Sequence, residues 1–524
     1  MSYGTDVRLR SLNDEAFQHF NTLMPRFILL AFASLCLELF CSGSLSAQSI
    51  LVQPYVQPGA SGTLTGTDDK RLMWMTDQIA GEFKVEFAAQ GSPPRTVQAK
   101  RVSLDFAPAK PKADAKTDVK TDTKDDEKSK SIPERSQHYF KYTAQLDGLP
   151  FDSVITYRVK LGDAIVREGA FPTRATATKP VRFIMVGDLA DGKGDQNAIA
   201  YQISLVKPQF LVALGDIVYP SGRVNQYMDH FWPTYNQPSA AGAATGVPLM
   251  ASVPFYAVMG NHDAASAKLE NWPDGLGAYH FFHAPENGPG EGPWSTQIGS
   301  GAPAKAFRAS VGSSYPALSQ YSFDCGPAHF MILDNSGAST QDSPKLREWI
   351  ERDLRGSKAR WKFVCFHAPM FHSSREHYTE QRTRLFSPLF EACGVDVVFA
   401  GHVHNYQRSK PMRFSNPVSN RILGGLVNGD YKLDENFDGI TRTRPDGIIH
   451  IVEGGGGAKL YRGELEKNKE FFAKQPAGNW APYTTKFIAD QHSFTVVDLT
   501  PQRLELRALN SSGGELDRIV IDKP

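Results

Sequence analysis

The chain has 524 residues, of which 41% are hydrophobic, 22% charged and 11% aromatic. That length divides into roughly two to four domains, and the composition excludes bulk disorder, a collagen-like repeat and a chain buried in a bilayer. Lys and Arg total 57 against 56 Asp and Glu, a formal charge of +1, so no global field draws nucleic acid or an anionic membrane, and recognition must be local.

At the N-terminus, Pro25-Arg26 precedes the apolar stretch Phe27 to Phe40 and then the small, polar run Ser42-Gly43-Ser44-Leu45-Ser46-Ala47. A positive start, a short apolar middle and a small-residue exit predict a secretory signal that begins at Met24 and is cleaved near Ala47, with a secreted or periplasmic destination. The competing membrane span is disfavoured, because the run is shorter than the ~20 residues a bilayer needs and contains Glu38. Residues 1–47 are therefore expected to be an N-terminal extension plus signal peptide. The five cysteines, at 36, 41, 325, 365 and 393, are too few for a disulfide scaffold and wrongly spaced for a four-cysteine zinc module, and removing residues 1–47 leaves three, so at least one is unpaired unless a second chain supplies a partner.

Residues 48–176 alternate in short runs at Ile50–Val52, Arg71–Met75, Phe83–Phe87, Tyr139–Tyr142 and Ile155–Val159, bounded by turn formers such as Pro58-Gly59 and Gly162-Asp163. This pattern predicts a small antiparallel sandwich with Trp74 as a core anchor. Together with Leu149-Pro150-Phe151-Asp152 and Phe171-Pro172-Thr173, the region resembles a fibronectin type III domain. Within it, residues 107–135 turn to Lys, Asp, Thr, Ala and Pro without an aromatic, and nothing there offsets the entropy of ordering, so a disordered insert is expected between two strands. Its interspersed acids argue against a lysine-rich binding tail.

After Thr176 the grammar changes to apolar β runs separated by helical patterns, the mark of an α/β domain over residues 180–524. Helices are predicted at Asp195–Val206, where Ile199, Ile203 and Val206 share a face, and at Ser343–Leu354, where Ser343-Pro344 supplies a cap and a first-turn proline. The Gly/Pro/Ala-rich stretches Pro233–Pro254 and Ala284–Pro316 read as long surface loops around a site.

Five apolar strands run into polar loops. Ile184–Val186 leads to Gly187-Asp188, Phe210–Leu214 to Gly215-Asp216 and Tyr219, and Tyr256–Met259 to Gly260-Asn261-His262. Phe363–Phe366 leads to His367, and Val397–Ala400 to Gly401-His402-Val403-His404. The carboxyl edge of an α/β sheet is where such loops converge on ligands, and the glycines permit tight turns and close backbone approach. Each signal alone is ordinary punctuation; five in order point to one centre built of oxygen and imidazole donors.

This set closely resembles the purple acid phosphatase signature within the calcineurin-like metallophosphoesterases, over about residues 48–524, with Gly454–Gly457 resembling a late loop of that fold. Two departures are Ala190, where the family usually has Gly, and Cys365, where it usually has Leu; neither is a ligand. The resemblance implies a multidomain fold class: an N-terminal all-β sandwich, fibronectin type III-like, followed by an α/β metallophosphoesterase β-sandwich flanked by helices. It also implies that Asp188, Asp216, Tyr219 and His404 hold one metal, that Asp216, Asn261, His367 and His402 hold the other, and that Asp216 bridges. His262 and His377 match positions of phosphate-contacting or leaving-group-protonating histidines; His372 competes for that role, and Tyr406 and Arg408 pack the loop.

A tyrosine ligand, with a reference pKa of about 10, is readily a phenolate only beside a strongly Lewis-acidic ion, so Fe(III) is expected at Tyr219, with Zn, Mn or Fe as the divalent partner. The activity expected from the resemblance is that of a binuclear acid phosphatase, hydrolysing small phosphate monoesters by in-line attack of metal-bound hydroxide. A phosphodiesterase of the same superfamily is the alternative, and a non-catalytic surface adhesion protein is disfavoured because all the ligand positions carry competent donors. The expected partner is a small phosphate ester, with no nucleic acid and no stable membrane span.

Overall fold

A computed structural model of the chain describes residues 49–77, 80–109, 136–238, 241–336, 343–416, 422–423, 425–461 and 481–524. The expected signal segment, with Cys36 and Cys41, and residues 110–135 of the expected insert lie outside the described residues.

Residues 50–172 form two four-stranded antiparallel sheets. One is ordered Ile50–Pro58, Asp68–Thr76, Gln137–Leu149, Lys100–Phe106; the other Arg95–Gln98, Phe83–Ala89, Val154–Leu161, Ala164–Pro172. The inward faces alternate as a half-buried strand requires: in Phe83–Ala89, Phe83, Val85 and Phe87 are buried while Lys84 faces solvent. Trp74 is fully buried, its ring stacked 5.6 Å from Tyr142 and edge-on to Phe83 at 5.3 Å.

The rest of the chain builds two larger sheets laid face to face. The first runs Phe255–Ala257, Phe210–Ala213, Val181–Val186, Ser493–Leu499, Arg503–Asn510, Glu515–Asp522. The second runs Gln320–Cys325, Ala328–Leu333, Trp361–Cys365, Val397–Ala400, Ile449–Glu453, Tyr406–Ser409, Thr484–Ile488. Pairing is parallel among the first three strands of the first sheet, and from Ala328–Leu333 through Ile449–Glu453 in the second. Strands covered on both faces read as unbroken apolar runs, hence Phe-Leu-Val-Ala and Val-Val-Phe-Ala. In Trp361–Cys365 the period of two divides the layers. Trp361, Phe363 and Cys365 join the core between the sheets, whereas Val364 packs with Trp349, Ile350 and Leu354 of the helix Pro344–Gly356. Phe183, Phe210, Phe323 and Phe330 fill the centre with ring centroids 4.7–5.6 Å apart.

The helix predicted from Asp195 is present as Asp195–Leu205, with Ile199 and Ile203 fully buried. The two expected surface loops are not structureless. Trp232–Tyr235 and Leu249–Ala251 are helical turns, and Ala302–Val311 is a helix with Phe307 and Val311 buried. Alanine is the strongest helix former, and Pro303 sits in the first turn, where its missing N–H costs no bond, so the composition that suggested a loop suits a helix. Cys325, Cys365 and Cys393 are all buried and free. Among the described residues no helix is long and apolar enough to cross a membrane.

The N-terminal sheet joins the two larger sheets in one core. Val52, Tyr55, Met73, Met75, Leu104 and Phe106 belong to the same buried cluster as Phe183 and Phe210. Tyr55 Oη donates to Phe281 O at 2.8 Å, and the buried Lys141 Nζ to Ser310 O at 2.9 Å. Asp68, fully buried, accepts from Lys70 Nζ and from Arg174 N and Nε at 2.8 Å.

His329 is pinned between two carboxylates, with Asp324 Oδ1 2.8 Å from Nδ1 and Asp353 Oδ2 2.9 Å from Nε2. Burial disfavours its charge, but the two hydrogen-bonded carboxylates prevail and push its pKa up to about 9. Because the folded value exceeds the unfolded one of about 6.5, this contribution is fully present below that pH and is lost as pH rises through about 9. Denaturant unfolding of His329→Gln against wild type should give a penalty of about 3 kcal/mol at pH 6 that shrinks by pH 9.5; a pH-independent difference would refute the charge.

Candidate metal centre

The strand ends open toward one point, where the backbone is held in unusual shapes. Asp188, Asp216, His377 and His402 have φ of 60°, 49°, 59° and 67°, the left-handed region that non-glycine residues occupy only where surrounding structure enforces it. Gly215 has φ +88°, and a Cβ there would lie 2.5 Å from His367 Nδ1. At Gly260 a Cβ would lie 2.2 Å from the Asp216 main chain. Only glycine lets these loops pass so close.

Five of the donors are gripped on their outer side, which fixes what they present inward. Asp188 Oδ2 accepts from His402 N at 2.7 Å, and Asp216 Oδ1 from His262 N at 2.8 Å. His367 Nδ1 donates to Leu214 O at 2.8 Å, and His404 Nδ1 to Lys459 O at 2.7 Å. His402 Nε2 faces Glu380 Oε2 at 3.0 Å. Outer-side acceptors of this kind fix ring orientation and tautomer in metal sites.

The inward atoms fall into two sets that share one oxygen. Tyr219 Oη lies 2.9 Å from Asp188 Oδ1, 3.2 Å from Asp216 Oδ2 and 3.0 Å from His404 Nε2. His367 Nε2 lies 3.0 Å from Asn261 Oδ1, 3.2 Å from Asp216 Oδ2 and 3.2 Å from His402 Nδ1. All seven sequence-predicted ligands are thus brought together, with Asp216 Oδ2 in both sets. In each set a single atom faces three groups able to accept, more than one proton can serve, and a cation seated among them would satisfy every lone pair. Burial, then the charges of Asp188 and Asp216, push the Tyr219 phenol well above its usual range. Burial opposes charge on His367, but the Asp216 carboxylate outweighs it and pushes that imidazole up to about 10. The donors present fit a pair of metal ions.

His262 and His377 stand at the rim. His262 has Nδ1 2.6 Å from Pro220 O and Nε2 3.8 Å from Asp216 Oδ2, with its ring 4.4 Å from that of Tyr219. His377 lies with its ring 3.9 Å from that of His402 and Nδ1 2.8 Å from Glu380 Oε1. His372 is buried and accepts from Ser374 N at 3.3 Å, away from the donor sets. Tyr406 and Arg408 both hold the buried Asp517, a packing role.

Several supporting residues escape sequence reasoning. Asp263 accepts from Gly260 N at 2.9 Å and Ile217 N at 3.1 Å, tying two ligand loops together; burial, with the charge of Asp216, pushes it up to about 7. Asn335 Oδ1 accepts from His367 N at 3.0 Å and Ala368 N at 2.9 Å. It follows an apolar strand as Leu333-Asp334-Asn335, so it shares the strand-end signal of the others. Tyr461 stacks on His404 at 4.0 Å and 6°, and Glu380 reaches the site without any motif around it.

Residues 181–406 match the calcineurin-like phosphoesterase family. Purple acid phosphatase 1 of Ipomoea batatas is 27% identical over 298 residues, covering 54% of this chain and 56% of that protein. The Fe(3+)-Zn(2+) purple acid phosphatase 12 of Arabidopsis thaliana is 25% identical over 305 residues, covering 55% and 57%. The chain spans about half the length of the curated relatives it matches. Among solved structures, a purple acid phosphatase from seeds of yellow lupin, Lupinus luteus, superposes with a TM-score of 0.59 at 17% identity, covering 90% of this chain and 74% of that one, which shows the fold.

Gly215→Ala should drive a methyl into His367 and impose an αL penalty of about 1–3 kcal/mol. The expected outcome is a lower melting temperature together with loss of metal uptake in elemental analysis; a variant that keeps its full metal content would contradict the close packing.

Proposed function

We propose that this chain, which carries a calcineurin-like phosphoesterase domain and resembles the purple acid phosphatases in sequence and fold, is a binuclear metal-dependent acid phosphatase acting on small phosphate monoesters. The observation that supports this most directly is the Asp216 carboxylate, whose Oδ2 lies 3.2 Å from both Tyr219 Oη and His367 Nε2 and so belongs to two donor sets at once. One set would hold Fe(III) through Asp188, Asp216, Tyr219 and His404; the other a divalent ion through Asp216, Asn261, His367 and His402. When bound, such a pair supplies Lewis acidity toward the phosphoryl oxygens and a nucleophile below neutral pH. The Tyr219 phenol, surrounded by anionic oxygens, releases its proton only to a strong Lewis acid, which favours the trivalent ion on its side.

The chain's own residues do the rest. His262 and His377, on the two sides of the donor sets, bind the phosphoryl oxygens and hand a proton to the departing alkoxide. The main-chain grips on Asp188, Asp216, His367 and His404 keep the donors in place without reorganisation during the reaction. The apolar segment Phe27–Phe40 and the small-residue exit at Ala47 support export of the chain.

Elemental analysis of protein grown with iron and zinc should find two ions per chain, whereas none would favour a non-catalytic adhesion protein. The iron-loaded protein should show a visible phenolate charge-transfer band that Tyr219→Phe abolishes with folding intact; a colourless, iron-replete wild type would sink the assignment. Hydrolysis of a monoester should exceed that of a bis-ester by at least about tenfold in kcat/KM, and the reverse order would make the protein a phosphodiesterase.

A further inference from the structure

The side chains of Asp188, Asp216, His367 and His404 are gripped by main-chain atoms. The His402 ring is held instead by a carboxylate, through Nε2 at 3.0 Å from Glu380 Oε2. The other oxygen of the same carboxylate, Oε1, lies 2.8 Å from His377 Nδ1. The two rings meet with centroids 3.9 Å apart. Glu380 N donates to His377 O at 2.9 Å, closing a turn that folds the carboxylate back over the histidine. Both His377 and His402 are in the left-handed region, at φ 59° and 67°, so two strained histidines converge on one acceptor.

An ionised carboxylate only accepts, so both ring nitrogens facing it are donors. His402 is thereby obliged to turn Nδ1 inward, toward His367 and Asp216. His377, with Nδ1 committed, keeps Nε2 as its working nitrogen, and Nε2 has no partner among the described residues.

The geometry points to Glu380 as a positioning residue that serves the metal ligand His402 with one oxygen and the proton donor His377 with the other. This rests on the phosphoesterase reading above. In the transfer, the P–O bond to the leaving alcohol breaks with its electron pair staying on that oxygen, which takes the proton from His377 Nε2. Water forms the new P–O bond and releases its proton to solvent, which returns one to His377. Both carboxylate oxygens of Glu380 are engaged by the two rings, so its effect is read through the two histidines.

Glu380→Gln tests both roles, because the rings meet different carboxylate oxygens and the amide replaces one of these with an NH2 that can only donate. In the full-length metal-loaded protein, its rate on an alkyl monoester, whose alkoxide needs protonation, should fall at least about tenfold further than on 4-nitrophenyl phosphate, whose leaving group does not. Chelator competition should show one of the two ions held about 10- to 100-fold more weakly. Glu380→Asp should recover part of both. In His377→Ala, adding Glu380→Gln should weaken metal binding as it does in the wild type without widening the alkyl-to-aryl gap, since that gap acts through His377. A folded Glu380→Gln with wild-type leaving-group dependence and wild-type metal affinity would overturn the proposal; if that variant fails to fold, Glu380→Asp carries the same comparison. Should the wild type hydrolyse neither ester, the phosphoesterase reading fails, and the chelator comparison still decides whether Glu380 orients His402.

Discussion

One carboxylate sets the terms for the rest of the site. Asp216 presents Oδ2 to both donor sets while Oδ1 is held by the His262 amide, so its position has almost no freedom left. A shared oxygen tolerates little displacement, because any shift that improves one set spoils the other. The surrounding features follow from that demand: a left-handed backbone at Asp216 itself, glycines at 215 and 260 where a methyl would strike it or its neighbour, and Asp263 drawing two loops together behind it.

The two sheets exist, in this sense, to bring five loop openings to one point. Parallel strands of short apolar residues end in register, so Gly187, Gly215 and Gly401 approach one another, and a Cβ at Gly187 would lie 3.2 Å from the Gly401 Cα. Phe183, Phe210, Phe330 and Phe363 pack in continuous contact within the core between the sheets that carry these loops.

The strand ends were legible because their grammar is local: an apolar run, a glycine, then a donor, repeated in Ile184–Asp188, Phe210–Asp216 and Val397–His404. Trp74 and the alternation around it were legible for the same reason. The helix at Ala302–Val311 was not, because alanine and proline mark both loops and helix starts. Nor were the C-terminal strands Ser493–Leu499, Arg503–Asn510 and Glu515–Asp522, which complete the first sheet from the far end of the chain with pairings no local pattern announces. Glu380 and Asp263 were hidden for a related reason: their roles come from what the fold places opposite them, and an isolated acid in a polar stretch looks like any solvated one.

The layer shared by Val52, Tyr55, Met73, Met75, Leu104 and Phe106 with the two larger sheets decides what separating the two halves would expose. The carboxyl-terminal half cut loose at residue 176 would bare a greasy flank and leave the Phe281 and Ser310 carbonyls without their donors, inviting self-association. The amino-terminal sandwich therefore acts as a permanent lining, and a shorter chain of this architecture would first have to repaint that flank with polar side chains.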